Sequence, residues 1–70
     1  MIPLTMTKPG EEVSVKRVGN REETRRFLET LGFTPGAHVM VVSEINGNMI
    51  VSVKESRVAI SREMAAKIMV

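Results

Sequence analysis

Hydrophobic positions along this chain keep two rhythms, one of period two and one of period near 3.6. From Glu12 to Val18, Val13 and Val15 alternate with Ser14 and Lys16, which predicts a strand with one buried and one solvated face. Thr24, Phe27, Leu28 and Leu31 then fall at i, i+3, i+4 and i+7, a narrow apolar stripe on a helix whose other side carries Arg21, Glu22, Arg25, Arg26 and Glu29. Asn20 followed three residues later by Glu23 has the form of a capping box, so the helix is predicted to start at Arg21. His38 to Ile45 returns to period two, with Val39, Val41 and Ile45 on one side and Met40 and Val42 on the other. One face is expected to line an interior and the other to be covered. Asn46-Gly47 is a strong hairpin signal, because both residues tolerate the positive φ of a type I′ turn, and Asn48 to Lys54 reads as the returning strand.

The ends are less regular. Leu4 to Met6 reads as a short first strand or an extended arm. Arg57 to Ile60 gives a further short strand, Ser61 can cap a single helical turn through Lys67, and Ile68-Met69-Val70 reads as a closing strand that removes an exposed edge. The punctuation between these elements is concentrated in Leu31-Gly32-Phe33-Thr34-Pro35-Gly36. Gly32 can take the left-handed conformation that ends a helix, which sets Phe33 against Leu28 in a Schellman-type contact. Thr34-Pro35-Gly36-Ala37 suits a type II turn, with proline fixing φ at the first central position and glycine supplying a positive φ at the second. Lys8-Pro9-Gly10-Glu11 repeats that chemistry before the first alternating run. Together these elements describe a mainly β domain over residues 1–70: a small SH3-like barrel of about five short strands, with one inserted α-helix and a helical turn before the last strand. An open α+β sheet is the alternative.

Composition narrows what such a domain can do. Apolar residues make up 43% of the 70 residues, enough for a globular core but a thin one. Without cysteine there are no disulfide staples and no thiolate metal ligands. The longest aliphatic run, Val39-Met40-Val41-Val42, is far too short to span a membrane, and the chain is expected to be soluble and untargeted, the lack of cysteine being compatible with a reducing cytoplasm without demanding one. A net charge of +2 is mild for a protein that must neutralise several phosphates, and two Phe with no Trp or Tyr leave little for base stacking. The distribution of charge says more: Lys16, Arg17, Arg21, Arg25 and Arg26 crowd one segment, opposed there by Glu22 and Glu23. That cluster is either a solvated helix face or a docking surface for an acidic partner patch or for an acidic lipid surface.

Catalytic chemistry finds few groups. A nucleophile and base need a third group to orient them, and the chain has one histidine, His38, no Cys and no Asp. His38 with Glu12 or Glu44 is a weak metal candidate, since such sites recruit at least three protein ligands, and a half-exposed strand histidine is the plainer reading. Met40, Met49 and Met64 are read as gap-fillers in a core short of aromatics. Phe33 is either core against Leu28 or, with Leu31, an apolar anchor framed by arginines.

The helix leading into Leu31-Gly32-Phe33-x-Pro35-Gly36-x-x-Val39-x-Val41, then Val51-x-Val53, Val58-Ala59-Ile60 and Glu63-x-Ala65-x-x-Ile68-x-Val70, resembles the ferrous iron transport protein A (FeoA) family over nearly the whole chain. The resemblance implies an SH3-like barrel without enzyme activity or cofactor. It implies a cytoplasmic accessory of ferrous-iron uptake that binds and modulates the membrane transporter FeoB, whose cytoplasmic part is a GTPase domain. Partner contact is expected at Arg21, Arg25, Leu31, Gly32 and Phe33, with self-association also open. A small nucleic-acid-binding or metal-sensing barrel is the alternative function. Two departures from the family pattern stand out: Glu55 occupies a turn position where glycine is frequent, and Asn46-Gly47 makes a tighter hairpin.

Overall fold

The computed structural model describes residues 1–19 and 21–70. A 3₁₀ turn over Leu4–Met6 precedes β1 (Glu12–Ser14) and β2 (Arg17–Val18); the helix α1 (Glu22–Thr30) follows, then β3 (His38–Ile45), β4 (Asn48–Val53) and β5 (Ser56–Ser61), the short helix α2 (Arg62–Ala65) and β6 (Ile68–Met69). Strands β1, β3, β4 and β5 form one antiparallel sheet in the order β1-β3-β4-β5, and β2 pairs with β6 in a second. The two sheets meet at Val15 and Lys16: the Val15 N–H bonds the Ala37 carbonyl at 2.8 Å, whereas the Lys16 N–H bonds Met69 at 2.7 Å. One strand predicted from Glu12 to Val18 is thus two. The chain leaves one partner for another at that corner, and the SH3-like barrel has six strands among the described residues.

Local chemistry explains most of the rest. Gly32, at φ +107°, ends α1, and the Schellman pair is complete: Phe33 N–H donates to the Leu28 carbonyl at 3.0 Å and Gly32 N–H to Glu29 at 3.0 Å. Thr34 to Ala37 makes the type II turn, with Gly36 at φ +90° and Ala37 N–H bonded to Thr34 at 2.9 Å. Gly36 N–H also donates to Val15 at 2.7 Å, as Gly10 N–H in the matching turn donates to Val41 at 2.8 Å. The second Pro-Gly turn is therefore stitched to the corner between β1 and β2, and the first to β3. Asn46 (φ 51°) and Gly47 (φ 81°) form the expected hairpin, and the Ser61 hydroxyl caps α2 by accepting from Met64 N–H at 3.2 Å. The predicted cap of α1 falls on Asn20, which lies outside the described residues; the helix itself runs from Glu22, with Arg21 at its N-cap.

The interior is one cluster drawn from every part of the chain, including Leu4, Val15, Leu28, Phe33, Val39, Val51, Val53 and Ile68. Three expectations are corrected. Leu4 to Met6 is a 3₁₀ turn rather than a strand, held by the Thr7 hydroxyl donating to Leu4 at 2.8 Å, while Pro3 alone bridges to Met69. In β3 the register shifts between Val41 and Ser43, so Val42 is an extra residue and Ile45 lands on the outer face, 55% exposed. That outer face is only partly covered, and Met40 lies half-buried on it rather than in the core, unlike Met49 and Met64.

Phe33 is fully buried, so Phe33→Ala should cost about 3–5 kcal/mol, most of what a domain of this size has, and urea titration should find it largely unfolded. Gly32→Ala places a Cβ 3.1 Å from a Val53 methyl in a backbone region L-residues avoid, and about 1–3 kcal/mol should be lost in the same assay. Lys54, in the turn that carries Glu55, holds φ 57°, so Lys54→Gly should instead raise stability by about 1 kcal/mol.

Candidate partner-binding face

Helix α1 presents most of its surface to solvent because its sequence supplies only one residue that reaches fully into the core, Leu28. Thr24 and Leu31 are half-buried at the margins of the stripe. Phe27, which the periodicity places inside, is 49% exposed. A nine-residue helix laid against a small barrel hides a strip narrower than the four-residue stripe, and Phe27 falls at its outer edge. The residues expected to make partner contact divide accordingly. Arg21 and Arg25 are exposed and Leu31 is partly so, but Gly32 and Phe33 are buried. Phe33 is the largest side chain in the core, and the exposed aromatic ring on this side of the molecule is Phe27, beside Leu31 on the helix.

Charge follows the helix. Lys16, Arg17, Arg21, Arg25 and Arg26 are all exposed. Arg26 is engaged by Glu22, one turn back, at 2.6 Å. Among the described residues no carboxylate lies within 4.0 Å of Arg17, Arg21 or Arg25. Two of these line a cleft of about 350 Å³ whose walls are Arg17 and Val18 from β2, the following Gly19, Arg25 and Glu29 from α1, and Pro35 from the type II turn. The junction that ends α1 therefore also supplies the far wall of the cleft.

On the other side of Pro35 opens a cleft of about 550 Å³, lined among others by Glu12, His38, Met40, Ser52 and Lys54. Register sets His38 opposite Ser14, and its Nδ1 lies 3.4 Å from the Ser14 hydroxyl and 3.8 Å from Glu12 Oε1. Both neighbours address the same ring nitrogen, so they do not form a relay in which one nitrogen is oriented while the other takes a proton. Glu44, the other acid considered for His38, is instead paired with Arg62 at 2.9 Å. Among the described residues no three His, Cys, Asp or Glu side chains gather as a metal site would need. Among the described residues no helix is long and apolar enough to cross a membrane.

The sequence matches the FeoA domain family over residues 2–70. The chain belongs to the FeoA family. This FeoA domain is 40% identical, over 70 residues, to a curated protein of Methanocaldococcus jannaschii named for Fe(2+) transport as protein A; the match covers all of this chain and 85% of the relative. A crystal structure of an iron uptake regulatory protein (FeoA) is 31% identical and superposes with a TM-score of 0.88, covering 96% of this chain and 89% of that one. The fold is shared more widely. The FeoA of Stenotrophomonas maltophilia, solved with zinc and described as a procaryotic SH3 domain protein, is 21% identical with a TM-score of 0.86, over 99% of this chain and 88% of its own.

Within this FeoA domain the exposed and buried phenylalanines should separate cleanly. Phe27→Ala is expected to leave the unfolding free energy from urea titration within about 0.5–1 kcal/mol of the parent, as for a surface position, in contrast to Phe33→Ala.

Proposed function

We propose that this protein is a non-enzymatic accessory of ferrous-iron uptake that acts in the cytoplasm by binding the cytoplasmic portion of a FeoB-type transporter. The observation that carries the reading is the family match over residues 2–70, together with a relative named for Fe(2+) transport whose match spans all of this chain and 85% of the relative. The inventory of side chains is consistent with a binding role, since the one histidine shares a single ring nitrogen with both neighbours. The contact face is α1 and its C-terminal junction. Arg21 and Arg25 offer charge with no carboxylate within 4.0 Å among the described residues, and Phe27 with the exposed part of Leu31 offers an apolar anchor of the kind that dominates binding energy at interfaces. Gly32 and Phe33 hold that face in place from beneath.

Such a contact lets the barrel bias the transporter's conformational balance in proportion to its preference for one state. Calorimetric titration of the protein with the folded cytoplasmic portion of the transporter should show saturable binding. The double variant Arg25→Glu, Phe27→Ala should weaken it at least tenfold while melting near the parent temperature. A folded transporter portion that gives no heat and no mobility shift would count decisively against this function.

A further inference from the structure

We infer that the cleft between β2, α1 and the Pro35 turn is a docking site for an acidic peptide segment, one carboxylate of which sits between Arg17 and Arg25. This rests on the reading of α1 as the partner-facing element and adds the chemistry of what it receives. Three observations converge. Arg17 and Arg25 come from different elements, line the same cleft and have no carboxylate within 4.0 Å among the described residues. A guanidinium left in this state at a concave surface is well suited to bidentate capture of a planar oxyanion, and two of them facing one space favour a carboxylate over any neutral group. The cleft, at about 350 Å³, falls at the small end of ligand sites, enough for a side chain with its adjoining backbone rather than an extended polyanion.

Glu29 decides between anions. It lines the same cleft one helical turn beyond Arg25, so an incoming group meets two positive charges and one negative. A monoanionic carboxylate is accommodated on the Arg17 side. A dianionic phosphate or a run of nucleic-acid phosphates meets a repulsion that two arginines offset poorly, and nucleic-acid binding calls for several phosphate contacts at once. Val18, Gly19 and Pro35 complete the walls with apolar and backbone surface, which suits a peptide and leaves little to hold a solvated lipid headgroup.

The test is an NMR titration of the intact ¹⁵N-labelled protein with an end-capped hexaglutamate peptide at low salt. Parallel arms use inorganic phosphate and vesicles containing phosphatidylserine. Amide shifts confined to Arg17, Val18, Gly19, Arg25 and Glu29 are expected. Arg17→Gln with Arg25→Gln should weaken binding at least tenfold with the remaining spectrum intact, and Glu29→Gln should tighten it two- to fivefold. Shifts spread equally over Lys54, Arg57 and Arg62, no shift at all, or indifference to the double variant would each overturn the inference. So would phosphate or vesicles binding the cleft more tightly than the peptide. Because the transporter is absent from this titration, its failure is separable from failure of the transporter to bind.

Discussion

The positive φ of Gly32 is the constraint on which the rest of this small molecule depends. Only with the backbone turned left-handed there can the N–H groups of Gly32 and Phe33 close on Glu29 and Leu28, and only then does Phe33 drop into the same cluster as Leu28. A helix of nine residues has little stability of its own in water. With a single fully buried side chain, α1 is held on the barrel by its last turn and by the Gly32-Phe33 junction. The segment from Leu31 to Gly36 then delivers the type II turn that aims β3 and stitches it to Val15. Space at Gly32 is tight on the far side as well, where a Val53 methyl would lie 3.1 Å from any added Cβ. Conformational freedom and close packing both ask for glycine at this position.

Legible in the sequence is whatever is decided within a few residues. The Schellman end of α1, both Pro-Gly turns, the Asn46-Gly47 hairpin and the Ser61 cap are each fixed by residue type at a set spacing, and each stands where expected. The failures share another character. Whether Glu12 to Val18 is one strand or two depends on Ala37 and Met69, which offer hydrogen bonds from different directions. The extra residue at Val42 is a matter of register against Val51 and Ile50, and alternation alone cannot reveal it; hence a strict period of two sets Ile45 on the wrong face. Phe27 escapes the periodic pattern because periodicity reports a direction around a helix and not how far the neighbouring surface reaches.

The candidate site divides along the same line. That Lys16, Arg17, Arg21, Arg25 and Arg26 form a basic segment is plain from composition, and all five are exposed. That Arg17 and Arg25 face one cleft is not, since the strand, the helix and Pro35 meet only in three dimensions. Phe33 marks the opposite limit. Its spacing from Leu28 argues for the core and its neighbourhood argues for an interface; burial assigns it to the core. Phe27, six residues earlier, is half exposed and leaves an aromatic ring among the charged side chains on the outer side of the helix.

The two ends of the barrel reach beyond this surface. Ile2 and Val70 exchange both of their backbone hydrogen bonds, at 2.9 and 2.8 Å, so the ends of the described chain leave it side by side. Adjacent ends are what let a domain be spliced into a loop of a host chain, or strung in tandem through short connectors, without deforming either fold. The barrel is thus geometrically a plug-in module: what it touches can be changed by where its two ends are tethered, while the junction at Gly32 and the arginine-lined cleft travel with it unaltered.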